Sequence, residues 1–96
     1  MEIVLSRFGT TFATRERARE LVAQALGENA LGEPVVDLNG ISASPSFMAE
    51  LLQQLALKFV SVGLVGGSDY LRTLTESLIG RLGLRGRVTL RNSSIA

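Results

Sequence analysis

Apolar residues recur along the chain in short runs and in longer stretches with helical spacing. The clearest helix is predicted over residues 15–26, where one stripe with the spacing i, i+3, i+4, i+7 and i+8 is apolar: Ala18, Leu21, Val22, Ala25 and Leu26. Thr14 is the predicted N-cap of this helix and Gly27 its C-cap. Ahead of it, a strand is predicted over 2–8, and a short extended segment over 10–13 is expected to form a loose hairpin with that strand.

The middle of the chain contains an Asn-Gly pair that can be interpreted in two ways. Asn39 and Gly40 follow an apolar strand predicted over 35–38. Such a pair is typical of two-residue hairpins, and a hairpin here would pair that strand with residues 41–43. The alternative is a turn that leads into a helix. We favour the turn, because residues 41–45 form a short, weakly β-forming segment that ends in proline.

A second helix is predicted from about residue 46 to residue 57. Ser46 can serve as its N-cap, or Ser44 can be the cap with Pro45 in the first helical position, and both interpretations stay open. The predicted buried side of this helix consists of Met48, Leu51, Leu52, Leu55 and Phe59.

Beyond this helix the pattern predicts a strand over 60–65, a turn over 66–69, a helix over 69–82, an edge strand over 88–90 and a frayed tail over 92–96. Strands that alternate with helices indicate an α/β fold, and helical crossovers make the neighbouring strands parallel. We therefore expect a single domain over 1–96, a sandwich of a roughly four-stranded, mostly parallel sheet and three helices. The loops 37–45 and 66–69 follow the carboxyl ends of strands and are expected to share one rim.

The composition excludes several kinds of site. The chain has no cysteine and no histidine, which removes disulfides, thiolate nucleophiles, the commonest general base and the usual zinc ligands. Its net charge of +1 favours neither a nucleic-acid partner nor an acidic membrane. No apolar run is long enough to span a membrane and no signal peptide is recognisable, so a cytoplasmic protein is expected. We expect no cofactor and no bound metal.

One loop and one pair of carboxylates are candidates for chemistry. The loop of Gly66, Gly67 and Ser68 follows a strand and opens a helix, as phosphate-binding loops do, but it matches no nucleotide-binding motif and has no lysine. A small-ligand or nucleotide-binding module is therefore an alternative function. Asp37 and Glu50 could form a carboxylate pair in an enzyme. A loop aspartate bonded to backbone amides and a glutamate on the helix surface explain both residues equally well, so we expect no enzyme activity.

Two parts of the chain resemble a known family. Residues 37–41, followed by 44–47 and 50–52, are similar to the centre of STAS-like domains, and in particular to a bacterial STAS-like family with the pattern D-hydrophobic-x-G-hydrophobic and then S-F-x-x-E-L. Upstream, Phe8 with Gly9 and the segment 14–18 resemble the glycine and the Ser/Thr-Arg-x-x-Ala motif before the first helix of that family. The resemblance extends over most of the chain, from about residue 8 to residue 82.

This resemblance implies a sheet with helices on one side and regulation through contact with another protein. Related domains that antagonise anti-sigma factors dock onto an ATP-binding kinase of the GHKL type, and phosphorylation of a serine at the start of the following helix releases the partner. By position Ser46 is the nearest match, and Ser44 is the second. The interface implied around residues 39–50 consists of Asn39, Gly40, Ser42, Ser44, Phe47 and Glu50. The oligomeric state, a homodimer included, stays open.

Overall fold

The structure is a computed structural model that describes residues 2–26 and 32–91. Its elements in chain order are β1 (Glu2–Val4), a 3₁₀ turn (Leu5–Arg7), β2 (Thr11–Phe12), α1 (Arg15–Leu26), β3 (Val35–Asp37), β4 (Ser42–Ala43), α2 (Pro45–Lys58), β5 (Val62–Val65), α3 (Asp69–Arg81) and β6 (Val88–Arg91). The fold is α/β, as predicted. The predicted C-cap Gly27 and the predicted tail over 92–96 lie outside the described residues.

The main sheet has four parallel strands in the order β1-β3-β5-β6, so the predicted edge position of the last strand is confirmed. Its register places Ile3, Val36, Leu64 and Leu90 in one row across the four strands. The first three of these side chains are buried, and Leu90 packs against the same apolar core. This row therefore marks the face of the sheet that the helices cover.

The three helices lie on one face of the sheet. Each crossover moves one strand further in the same direction, and right-handed crossovers that all move the same way place their helices on the same side. The contacts agree, because α1 packs against α2 and α2 packs against α3. Within the described residues, no helix is long and apolar enough to cross a membrane.

The first strand is shorter than predicted, and the predicted hairpin with residues 10–13 is wrong. Strand β1 ends at Val4 because its partner β3 ends at Asp37, just before the chain turns, and residues Leu5–Arg7 then form a 3₁₀ turn. That turn carries the chain away from β1. Strand β2 instead pairs in parallel with β4, in a separate two-stranded sheet.

The alternative hairpin at Asn39 and Gly40 is also excluded. Both sides of β3 are occupied, by β1 and by β5, so no side of it is free for residues 41–43. Those residues pair with β2, where the amide of Ser42 donates to the carbonyl of Thr10 (2.8 Å). The turn that leads into a helix, which the sequence favoured, is what the structure contains.

The helices follow the predicted pattern closely. Helix α1 has the predicted bounds, and the hydroxyl of Thr14 accepts a hydrogen bond from the amide of Arg17 (3.1 Å), which confirms the predicted N-cap. Helix α3 begins one residue after Ser68, whose hydroxyl accepts from the amide of Leu71 (3.1 Å). Short polar side chains at these positions satisfy amides that the first turn of a helix leaves without a partner.

Candidate functional site

The loops after β3 and β5 lie side by side at the carboxyl end of the sheet, as the sequence predicts. The side-chain carbonyl oxygen of Asn39 accepts a hydrogen bond from the amide of Gly67 (3.0 Å), which joins the two loops directly. The carboxylate of Asp37 accepts from the amide of Asn39 (2.9 Å) and fixes the turn between them. We call the exposed edge formed by residues 39–46 and 66–70 the rim.

The glycine loop of the rim is held by internal hydrogen bonds. The carbonyl of Gly66 accepts from the guanidinium of Arg72 (2.9 Å), the amide of Gly67 donates to Asn39, and the hydroxyl of Ser68 caps α3. A phosphate-binding loop needs free amides that point at the ligand. Because the Gly67 amide and the Ser68 hydroxyl are engaged within the chain, the geometry gives no support to the nucleotide-binding alternative.

Ser44, and not Ser46, is the N-cap of α2. The hydroxyl of Ser44 accepts from the amide of Phe47 (3.1 Å) and also donates to the carbonyl of Ala13 (2.8 Å). Pro45 occupies the first helical position, where its missing N–H costs no hydrogen bond. Ser46 therefore lies inside the first turn of α2 with an exposed side chain, and its hydroxyl is not needed as the cap.

The two serines are predicted to respond differently to removal of the hydroxyl. Ser44→Ala is expected to lower the free energy of unfolding by about 1 kcal/mol, within the range of about 0.5–2 kcal/mol measured for lost N-caps. Ser46→Ala is expected to change it by less than about 0.5 kcal/mol, as is usual at exposed positions. Urea unfolding of both variants measures the difference. Equal losses would show that the capping role is wrongly assigned.

Phe47 does not lie on the interface that the resemblance implies. Its side chain is 0% exposed and stacks on Phe12, with ring centroids 4.8 Å apart. Arg17 lies over the other aromatic ring of this pair, with its guanidinium carbon 5.8 Å from the Phe12 centroid. Phe47 therefore joins the start of α2 to the segment before α1, and it cannot contact a partner without unfolding this part of the chain.

Glu50 does not lie on the interface either, nor on the helix surface. It is 9% exposed, and one of its carboxylate oxygens lies 3.4 Å from Arg15 and 3.6 Å from Arg19 of α1. The other oxygen accepts from the side-chain amide of Gln54 (2.7 Å). This hydrogen bond from Gln54 is the largest cause of a lowered Glu50 pKa, and the two arginines lower the pKa further against the opposing effect of burial. Glu50 therefore joins α2 to α1.

The lowered pKa of Glu50 predicts that the protein loses stability in acid. An unfolded glutamate has a pKa of about 4.3, so the ionised form of Glu50 contributes its stabilisation fully above that value. The contribution is lost as the pH falls through the lower pKa of the folded state. Urea unfolding from neutral pH down to acid tests this: Glu50→Gln is expected to be less stable at neutral pH and to show a shallower acid loss. Parallel curves for the two proteins would contradict it.

The carboxylate pair considered for an enzyme does not form a shared site. Asp37 bonds to the Asn39 amide, while Glu50 is bound by two arginines and Gln54. Among residues 2–26 and 32–91, no group of three or more histidine, cysteine, aspartate and glutamate side chains is placed to hold a metal ion. The geometry therefore offers no observation that favours carboxylate chemistry.

The residues of the family motifs fall into two groups. Phe47, Glu50 and Ser44 contact the segment 12–19, so these motif positions are occupied by residues that hold α2 against α1 and the segment before it. Asn39, Gly40, Ser42 and Ser46 are exposed along the rim. The structure thus separates the six implied interface residues and Ser46 into a buried or half-buried group that holds α2 in place and an exposed group on the rim.

One exposed residue of the rim, Tyr70, was not predicted from the sequence to contribute to a site. Tyr70 lies in the first turn of α3 and is 69% exposed, although large apolar side chains are usually covered. Tyrosine is one of the residues that most often anchor protein interfaces. Its position outside the apolar stripe of α3, two residues after the N-cap Ser68, was the available signal in the sequence.

The fold and the rim together define an α/β domain with an exposed loop surface at the carboxyl end of its parallel sheet. Comparison of the chain with models of protein families, with curated proteins and with solved structures found no match.

Proposed function

We propose that this chain is a STAS-like regulatory domain that binds a GHKL-type ATP-binding protein through its rim. The observation that carries this proposal is that the two serines at the start of α2 have different roles. Ser44 caps α2, so Ser46 is an exposed hydroxyl in the first turn of that helix. That is the location at which a serine is phosphorylated in the anti-sigma-factor antagonists that the sequence resembles.

Contacts within the domain connect the parts of the rim to each other and to the rest of the chain. Asn39 fastens its two loops together, while Ser44 and Phe47 fasten the start of α2 to the segment before α1. A preorganised surface loses less conformational entropy on binding than a mobile loop does. These contacts support the interpretation of the rim as a docking surface.

The proposed contact residues differ from those implied by the resemblance alone. Asn39, Gly40, Ser42 and Ser46 are retained because they are exposed, and Tyr70 is added as an aromatic anchor. Phe47 and Glu50 are buried and hold the start of α2 in place. A phosphate on Ser46 would then act at the centre of the contact.

Phosphorylation of Ser46 would change binding without unfolding the domain. A phosphoserine carries about −1.5 to −2 charges, and the first turn of a helix is a favourable place for negative charge. The fold therefore tolerates the modification. In a docked complex the same charge must be desolvated, so we expect it to weaken the contact.

Incubation with labelled ATP and a GHKL-type ATPase from the same organism tests this function, with priority for one encoded next to this chain. Wild type is expected to form a complex with the ATPase and to become labelled. Ser46→Ala is expected to bind without label, while Ser44→Ala still carries the label. Failure of every such ATPase to bind would refute the docking role. Binding with the label retained in Ser46→Ala would refute Ser46 as the acceptor.

A further inference from the structure

The hydrogen bonds between β5 and β6 determine which backbone groups of β6 face outward. The amide of Val62 donates to the carbonyl of Arg87 (2.7 Å), and Val62 is in register with Val88. In a parallel ladder a residue bonds to the two residues on either side of its register partner, which for Val62 are Arg87 and Thr89. The odd-numbered residues of β6 therefore direct their backbone groups to β5. The N–H and C=O of Leu90 therefore point away from the sheet. Within residues 2–26 and 32–91, neither group of Leu90 has a hydrogen-bond partner.

A surface groove of about 770 Å³ runs along this edge, between β6 and α3. Residues 88–90 form one wall, and the other consists of residues at the spacing of one helix face, Asp69, Arg72, Thr73 and Glu76. Arg85 also lines the groove, so the lining carries two acids and two arginines with a net charge of zero. Within the part of the chain that the structure describes, none of these four charges forms an ion pair.

We propose that this edge binds a second copy of the chain, by antiparallel pairing of β6 with β6 about a two-fold axis at Leu90. Opposite residues in the hydrogen-bonded pair of an antiparallel ladder exchange both of their N–H···O bonds. Leu90 directs one donor and one acceptor to the same side, so two copies of Leu90 satisfy each other. A two-fold contact of this kind needs only one self-complementary patch.

The charges of the groove favour a second copy over a strongly charged partner. The groove carries both signs in equal number, so the acids of one copy can pair with the arginines of the other. An acidic peptide would leave Asp69 and Glu76 beside like charges, and a basic peptide would do the same to Arg72 and Arg85. Like charges placed together across an interface oppose binding.

The dimer would use Asp69, which also belongs to the rim, but none of the rim residues 39–46 lines the groove. In antiparallel pairing of β6 with β6, the strands of the two copies run in opposite directions. The rims of the two copies, which lie at the carboxyl ends of their strands, therefore point in opposite directions. The dimer is compatible with the proposed function but does not depend on it.

Sedimentation velocity over a wide range of protein concentrations, compared between wild type and Leu90→Pro, tests the dimer. Proline at position 90 removes only the outward N–H, because the ladder to β5 uses the neighbouring residues. Wild type is expected to dimerise as its concentration rises. Leu90→Pro is expected to raise the dissociation constant of the dimer by about tenfold or more, because two hydrogen bonds are lost.

Val4→Pro is the matched control on the opposite edge. The amide of Leu38 donates to the carbonyl of Val65 (2.9 Å), so Leu38 directs its backbone groups to β5 and the preceding residue Asp37 directs its own to β1. Val4 is the register partner of Asp37, and the backbone groups of Val4 therefore point outward, away from the sheet. The same chemical change is thus made at an edge that the dimer does not use. Val4→Pro is expected to dimerise as wild type does, and equal loss in both variants would contradict the assignment to β6.

Amide hydrogen exchange of the wild-type protein tests the proposal even where Leu90→Pro fails to fold. The amides of Thr89 and Arg91 donate to β5 and are expected to be protected at every concentration. The Leu90 amide is expected to exchange fast in dilute protein and more slowly as the dimer forms. A monomer at all concentrations, or a dimer in which the Leu90 amide exchanges fast, would overturn the proposal.

Discussion

Phe47→Ala is expected to lower the free energy of unfolding by about 3–5 kcal/mol, the range measured for loss of a buried phenylalanine. The ring is 0% exposed and stacks on Phe12, so its removal leaves a cavity and also ends an aromatic contact. A protein of this size has a total stability of about 5–15 kcal/mol, so the loss is large. Urea unfolding at neutral pH measures it.

A leucine on the same helix provides the control. Leu57 lies on α2 and is 78% exposed, so Leu57→Ala removes a large apolar side chain from the surface and is expected to change stability by less than about 0.5 kcal/mol. A loss of less than about 1 kcal/mol in Phe47→Ala would show that the ring is not packed as described, since full burial costs more than that when removed.

Gly66→Ala is expected to lower the free energy of unfolding by about 2–3 kcal/mol, which is the sum of backbone strain and a lost hydrogen bond between the two rim loops. Gly66 has φ +71°, a left-handed conformation that side chains rarely adopt. An added Cβ would also lie within 2.3–2.5 Å of three atoms of the Asn39 side chain. Asn39 must therefore move and lose its hydrogen bond with Gly67. Thermal unfolding and the chemical shift of the Gly67 amide measure these two effects.

Gly83→Ala is the control that measures the backbone strain without a steric clash. Gly83 has a similar φ of +69°, but an added Cβ at this position meets nothing within 4 Å. Gly83→Ala is therefore expected to lower the free energy of unfolding by the backbone strain alone, about 1–2 kcal/mol, and to leave the rim unchanged. If Gly66→Ala and Gly83→Ala lower the free energy of unfolding equally, the hydrogen bond between Asn39 and Gly67 contributes nothing to stability.

The elements of the fold could be predicted because local pattern determines them. The apolar stripe from Ala18 to Leu26 predicts α1 with its observed bounds, and the serine and proline before Phe47 are signals that the structure uses. The choice between Ser44 and Ser46 could not be made locally. It is decided in part by the carbonyl of Ala13, a residue far away in the sequence, to which Ser44 donates.

Which of the predicted site residues are exposed and which are buried could not be predicted, because burial depends on contacts between distant segments. Nothing near Glu50 indicates that Arg15 and Arg19 approach it from another helix. Its polar neighbours Gln53 and Gln54 instead suggest an exposed face. The pairing of β2 with β4 is likewise a long-range contact between two weak strands, and the local pattern favoured a hairpin with β1.

The residues that carry the family resemblance are therefore of two kinds. Phe47 and Glu50 account for their motif positions without any partner, since Phe47 packs α2 against the segment before α1 and Glu50 joins α2 to α1. Of the exposed motif residues from Asn39 to Ser46, Asn39 is explained by its link to Gly67 and Gly40 by a φ of +77° that favours glycine, which leaves the side chains of Ser42 and Ser46 without such an explanation. We propose that partner binding is the role of these exposed positions, with Ser46 at the centre.

The most direct test of this account is the affinity of a GHKL-type ATPase for Ser46→Asp, measured by titration calorimetry beside wild type. Gln53→Asp is the control, because it adds the same charge at an exposed position of α2 outside the proposed interface. We predict that Ser46→Asp weakens binding by about tenfold or more, as charge buried in an interface does, and that Gln53→Asp binds as wild type. Equal affinity of all three proteins for the ATPase would contradict the account.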